Sequence, residues 1–403
     1  MKFLLLLFIL VSYSFSNTLQ TAIDNAPPNS ILKLPSGTYF GNIVINKPLS
    51  IIGKSDNVII KGEGFGSVIT VNSSFVTLKN LTITDSGNKM EKLNAAISIN
   101  GAKNCEISKC KLLNSLYGID MNIVSDSLIK DNFITSKALD ISFRGNALKM
   151  YYSHNNLIQN NTIINSRDIT LNYSHDNIFK GNTFKNNRFA THLSLSNNNS
   201  FSNNIYKHNS VSIMVMGAKD TKVTNNTIQS SNGAAGIGVV INGVTNFRFE
   251  KNIVQFNAKA LYIDGQEKHK GMKRYIVDNE LSYNGEALHF HASIKDNTIT
   301  HNKIFGNIDD VVKDISGNFG KLNIVEYNYW DRYAGFDRNR DNIGDNPHQV
   351  YQYADQLWHY NNKVKFFYGS PIMSLLNFLS NLAPFVEPNL IMKDSKPIFN
   401  NSF

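Results

Sequence analysis

The chain has 403 residues, a net charge of +9, two cysteines and 42% hydrophobic residues. That is too apolar for a disordered chain and too poor in cysteine for a disulfide-built scaffold. The positive charge is diffuse, with no basic run interleaved with aromatics, so it reads as solvated surface and excludes nucleic acid as the expected partner.

Residues 1–16 have the layout of a signal peptide: Lys2, an apolar run from Phe3 to Val11, then small residues at Ser14 and Ser16. The run is too short to span a bilayer, so the expected location is outside the cytoplasm. Residues 17–50 form the expected N-terminal cap and first coil. Leu19, Ala22, Ile23 and Ala26 fall at helical spacing and Pro27-Pro28 ends the pattern. Such a helix covers the exposed edges that an open solenoid end leaves.

Residues 51–328 repeat one phrase: an apolar residue, two variable residues, Asn, any residue, an apolar residue. Its anchors are Leu81, Cys110, Asn132, Asn161, Asn182, Asn204, Asn226, Asn252, Asn279, Asn302 and Asn328, at steps of 21 to 29 residues. A period of that size marks stacked units that cannot bury an apolar face alone. Within each unit the apolar spacing is two, as in Gly238-Val-Val-Ile-Asn-Gly243, which is strand behaviour. The expected fold is therefore all-β, a right-handed parallel β-helix. Asn at one inward corner of every coil predicts an amide ladder along the axis. Cys110 occupies an anchor position and reads as a buried packing thiol; Cys105 and Cys110 match no zinc or redox spacing. Loops leave the coils near Gly87 to Leu93, Ser136 to Asn146, Ser230 to Ala235 and Gln266 to Lys273.

Alternation in Ser212-Ile-Met-Val-Met-Gly217 turns Ile213 and Val215 inward and Met214 and Met216 outward. In the preceding coil the same rule leaves His192 outward, beside Met214. Two thioethers and an imidazole are the donors Cu⁺ prefers, so His192, Met214 and Met216 are the candidate copper site, with copper held transiently. Three coils on, about 14 Å along the axis, the same columns hold His289 and His291. That pair is a candidate second copper station or an interface, against a plain reading of surface hydrogen bonding.

The repeat stops at Asn328, and residues 329–403 form a smaller aromatic module. Asp337, Asn339, Asp341 and Asp345 alternate as in the first part of a calcium loop. Asn342 stands where the turn glycine is usual, and His348 takes the twelfth position in place of Glu. Calcium is one reading; a hydrogen-bonded turn without metal is the other. Ser370 and Pro371 open a helix whose stripe of Ile372, Leu375, Leu376, Leu379 and Leu382 is expected to cover the open lower end of the β-helix, or to dock on a partner.

Particular stretches of this module carry a resemblance: Asn328-Tyr-Trp-Asp-Arg-Tyr-Ala-Gly-Phe-Asp337, Ile343-Gly-Asp345, Tyr353-Ala-Asp355 with Leu357-Trp358, Lys365-Phe-Phe-Tyr-Gly-Ser-Pro371 and Leu382-Ala-Pro-Phe385. With the signal peptide and the Asn coils, they resemble the NosD family of maturation factors for nitrous oxide reductase. The resemblance implies a periplasmic partner role: work with a membrane permease, its cytoplasmic ATPase and a copper chaperone in assembling the copper-sulfur centre of the reductase. The alternative reading is a polysaccharide lyase, hydrolase or epimerase on the same fold. It needs clustered carboxylates on a groove, and Asp309-Asp310 is the one tempting pair. A structural adhesin, the third reading, leaves the aromatic module without a purpose.

Overall fold

A computed structural model of the protein describes residues 18–400 apart from 234, 265–270, 292–293, 315–322, 353–361, 368–369 and 383–388. The signal peptide, most of the Gln266 to Lys273 loop, the Tyr353 to Trp358 stretch and Ala383 to Phe385 lie outside the described residues. Three parallel sheets run the length of a β-solenoid: sheet A with thirteen strands, sheet B with thirteen and sheet C with twelve, each strand pairing with its equivalents one coil before and after. With strands about 4.8 Å apart the stack is on the order of 60 Å long.

Inward residues form apolar columns. In sheet A, Ile158, Phe179, Phe201, Val223 and Phe249 lie directly above one another in register, all buried, and the Phe179 and Phe201 rings stack at 5.0 Å. Cys110 is buried at its anchor position as expected, and burial pushes its thiol up to about 12.

The amide ladder runs through the A-to-B corner. Asn204 is a representative rung: its Oδ1 accepts from the backbone N–H and the Nδ2 of Asn182, at 2.8 and 3.0 Å. Its Nδ2 donates back to the Phe179 carbonyl and forward to Asn226 Oδ1, both at 3.0 Å. Every polar atom of the buried amide is thus satisfied. The residue before each anchor takes a left-handed conformation, as at Asn160, Asn203 and Asn225, which turns the corner and points the anchor inward. Two further ladders were not anticipated. Asn156, Asn177 and Asn199 form one at the C-to-A corner, and Asn257, Asn284 and Asn307 form another at the B-to-C corner. They sit five residues before or after an anchor.

A ladder of this kind has polarity. Each Nδ2 donates toward the C-terminal coil, so the last rung needs an acceptor. The first ladder ends on Asp394, whose Oδ2 accepts from the Asn328 N–H, Asn328 Nδ2 and Trp330 Nε1. The B-to-C ladder ends on Asp310, 3.4 Å from Asn307 Nδ2. Burial, only partly offset by Arg332, raises the Asp310 carboxyl to about 7. A pKa raised on folding contributes stability that is complete below the unfolded value of about 4 and lost as pH rises through about 7. Replacing Asp310 by Asn, which accepts the same bond without charge, is expected to remove this group's contribution to the slope of stability against pH between about 4 and 7. It should also stabilise the protein at pH 8 by up to about 4 kcal/mol, as read by urea unfolding at several pH values.

The ends are closed differently. At the top, the helix Thr18–Asn25 buries Leu19 and Ile23, with Ala26 just beyond it, while Ala22 is exposed. Gln20 replaces a missing strand: its Oε1 accepts from the Val44 N–H at 2.8 Å and its Nε2 donates to the Val44 carbonyl at 3.0 Å. At the bottom, the expectation about the apolar stripe is corrected. The helix Pro371–Leu382 is present, and Ser370 Oγ accepts from the Met373 N–H. Its Ile372, Leu375, Leu376 and Leu379 are nevertheless exposed. The lower end is already covered by Trp330 and by the antiparallel pair of His348–Gln352 with Asn389–Asp394, whose Ile391 and Met392 join the core. The helix attaches instead through Met373, packed with Val312 and Val364. Among the described residues no helix is long and apolar enough to cross a membrane.

Candidate functional site

Sheet C presents two outward columns, and the register fixes which side chains are neighbours. His192 pairs with Met214, which pairs with Val240; Ser194 pairs with Met216, which pairs with Asn242. The alternation reading is therefore correct in its placement: Ile213 and Val215 are fully buried, while Met214, Met216 and His192 are half-buried on the outer face.

His192 Nε2 is buried and has no hydrogen-bond partner. Burial drives the imidazole below its ordinary pKa, a shift that Asp168 opposes and Arg188 reinforces, so the ring is neutral and one nitrogen carries a free lone pair. Three residues that sequence reasoning missed shape this environment. Asp168 holds Arg188 by a bidentate bond, the guanidinium lies 4.7 Å over the Phe189 ring, and Phe189 packs at 5.5 Å against His192. The sequence signal was the Arg188-Phe189 pair at the start of the His192 strand. A buried, unpartnered imidazole nitrogen in register beside a thioether fits a soft or borderline cation such as Cu⁺.

His289 stands three coils beyond Met214 in the same column, through Val240 and Tyr262, and His291 pairs with Asp264 in the column beside it. His289 is buried, which corrects its reading as an outward surface residue: Tyr262 stacks on it at 4.8 Å. Its Nδ1 bonds Glu286, which Lys259 also bonds at 3.0 Å. Its Nε2 lies 3.2 Å from Asp314, near enough for an ion pair but outside hydrogen-bond geometry. Burial pushes the His289 pKa down, yet Asp314 and Glu286 together hold it above its ordinary value. His291 Nδ1 lies 2.9 Å from Asp314 Oδ1. The pair belongs to an ionic network in which His289 Nδ1 faces Glu286 and its Nε2 faces Asp314.

In the acidic loop the oxygens are turned onto the loop's own backbone. Asp337 accepts from the N–H groups of Asp341 and Asn342, Asp341 from that of Ile343, and Asp345 from that of Arg338; Asn339 donates to Asp341. Asn342 is left-handed, as its place in the turn requires. His348 begins a strand rather than closing the loop. Among the described residues no group of three or more His, Cys, Asp or Glu side chains is arranged to hold a metal. The arrangement matches the hydrogen-bonded turn. Asp309 and Asp310 do not form a catalytic pair on a groove either, because Asp310 points into the solenoid as a ladder terminus.

The family of periplasmic copper-binding proteins known as NosD matches residues 131–335. The chain belongs to the NosD family. A probable ABC transporter binding protein NosD of Pseudomonas aeruginosa is 29% identical over 384 residues, covering 91% of this chain and 87% of the relative. That of Stutzerimonas stutzeri is 27% identical over 385 residues, covering 91% and 86%. Among solved structures, the N-terminal fragment of bacteriophage Phi29 gene product 12 aligns with a TM-score of 0.53 at 15% identity, over 75% of this chain and 68% of that one. The Yersinia enterocolitica family 28 exopolygalacturonase aligns with 0.52 at 12% identity, over 75% of each. At such identities the likeness shows the solenoid alone. NosD relatives are named as transporter binding proteins, not as enzymes.

Proposed function

We propose that this NosD-family protein receives Cu⁺ in the periplasm at His192, Met214 and Met216 and presents it for assembly of the copper-sulfur centre of nitrous oxide reductase. A membrane permease and its cytoplasmic ATPase act with it, and the exposed stripe of the helix Pro371–Leu382 is the surface that meets the permease. The observation that carries the reading is the buried, unpartnered Nε2 of His192, set in register beside Met214. A buried polar atom without a partner costs about 1 to 3 kcal/mol, and a metal ion bound there relieves that cost. Copper is cargo in this scheme, and the site lies on the outer face of sheet C, where His192, Met214 and Met216 are half-buried. Two thioethers and a neutral imidazole exclude hard cations by donor type and favour the cuprous state.

Titration of purified protein with Cu⁺ against a bicinchoninate competitor tests the site. Met214→Ala with Met216→Ala is expected to weaken binding roughly tenfold or more, about 1.4 kcal/mol or above, with circular dichroism unchanged because both side chains lie outside the core. Unchanged affinity in that double variant and in His192→Ala removes this site from the mechanism.

A further inference from the structure

The corner between sheets A and B carries one left-handed residue per coil. In the middle of the stack its occupants are Asp131, Asn160, Gly181, Asn203 and Asn225, types that tolerate the conformation. Further down, Lys251 and Tyr327 hold the same place at φ 57 and 58°, where a long or bulky side chain is disfavoured. Neither builds the core: Lys251 is exposed and Tyr327 half-buried. Both line a cleft of about 680 Å³ between this corner and the loop of Asp341 to Ile343, a size usual for a small-molecule site.

The register of sheet B orders the floor of this cleft into rows about 4.8 Å apart. Ile253 pairs with Glu280, Glu280 with Lys303 and Lys303 with Tyr329; Tyr329 then bridges Ile398, which bridges Ile343. Each of the first four is flanked by the corner residue two positions before it. From top to bottom the rows are Lys251 with Ile253, Asp278 with Glu280, His301 with Lys303, and Tyr327 with Tyr329. An acidic row thus sits directly above a basic one, and below both the lining is aromatic and aliphatic. Glu280 is held by Gln255 Nε2 and Ser282 Oγ, both on Oε1, at 2.6 and 2.9 Å. His301 stacks on Tyr327 at 5.3 Å, and the Tyr327 hydroxyl accepts from Lys396 Nζ at 3.0 Å. The Asp341 carboxylate is engaged by Asn339 and by the Ile343 N–H, so the lower wall meets a ligand mainly through the aliphatic Ile343 and Ile398.

An acidic row and a basic row one coil apart, with an apolar end beside the basic one, match a zwitterion that carries an apolar tail. We propose that this cleft binds a short free peptide, a dipeptide or tripeptide whose C-terminal residue is aromatic or large and aliphatic. The peptide ammonium meets Asp278 and Glu280, and its carboxylate meets His301 and Lys303 through charge-assisted hydrogen bonds. Its last side chain lies against Tyr329, Ile343 and Ile398. The cleft belongs to the A-to-B side of the solenoid and not to the outer face of sheet C, so the inference stands independently of the copper site. Titration calorimetry of the full, metal-free protein with glycylphenylalanine tests it, and saturable binding is expected. The N-acetyl and C-amide forms of the dipeptide are each expected to bind roughly tenfold more weakly or worse, through loss of one charge-assisted contact. Glycylglycine, which lacks the apolar tail, also binds more weakly. Asp278→Asn with Glu280→Gln weakens glycylphenylalanine by a similar factor and keeps the melting temperature, because Asn suits the left-handed turn. Lys303→Met weakens it from the carboxylate end. No saturable binding of glycylphenylalanine, equal binding of its N-acetyl form, or equal binding by the double variant overturns the proposal. Binding of maltotriose in place of the dipeptide also overturns it, since the stacked rings would then serve a neutral sugar.

Discussion

Replacing Asn204 by Ala is expected to cost about 3 to 6 kcal/mol and to split the unfolding of the solenoid into two transitions. The substitution removes the acceptor of the Asn182 N–H and of Asn182 Nδ2, and the donor to the Phe179 carbonyl. Asn226 Oδ1 keeps the Asn204 N–H but loses the side-chain bond. Three buried bonds are then lost, with Asn182 Nδ2 keeping only the Ile158 carbonyl, each loss costing about 1 to 3 kcal/mol. Each coil is stabilised mainly by contact with its neighbours, so a weakened interface uncouples the two halves of the stack. Hydrogen exchange followed in urea reads this directly, with protection lost first in the coils around residue 204. The adjacent Asn203 is exposed and left-handed; Asn203→Ala should cost about 1 to 2 kcal/mol for the backbone alone. Equal costs at the two positions would sink the ladder as a source of stability.

The same ladder explains what could be read from the chain. A side-chain period of two combined with an anchor every coil fixes both the face and the axial neighbour of a residue, which is why His192 and Met214 were placed together correctly. The companion ladders were hidden because Ser127, Ser166 and Ser231 share their corner positions with asparagine, so no single residue type recurs. The lower cap was misassigned for another reason. Periodicity shows that the face of Ile372, Leu375, Leu376 and Leu379 is apolar, but not whether Trp330, Ile391 and Met392 have already filled the place it would cover. Burial of His289 depends on Tyr262 and Asp314, which come from other coils and from beyond a strand end. The Asp337 loop was ambiguous because carboxylates at alternate positions serve a cation shell and an Asx-type turn equally well.

Removing the terminal acceptor should be as costly as breaking a rung, but in a different place. Asp394→Ala strips the acceptor from Asn328 N–H, Asn328 Nδ2 and Trp330 Nε1, bonded at 3.1, 2.9 and 2.9 Å, and from the Lys396 N–H at 3.0 Å. Three of these donors are buried, so the expected loss is about 3 to 6 kcal/mol. It falls on the attachment of the antiparallel pair His348–Gln352 and Asn389–Asp394 to the last coil. Asp394→Asn keeps one acceptor oxygen for the Asn328 and Trp330 donors but turns an amide NH₂ toward the Lys396 N–H, so it should cost less than Ala. Red-shifted tryptophan emission, with hydrogen-exchange protection of the coils around residue 204 unchanged, would mark release of the C-terminal module while the solenoid stays folded. Emission and stability equal to the wild type would instead mean that Trp330 and Met392 hold the module by apolar packing alone. The carboxylate would then add nothing to closure of the ladder, even though the one-way run of amide donors leaves the final rung in need of an acceptor.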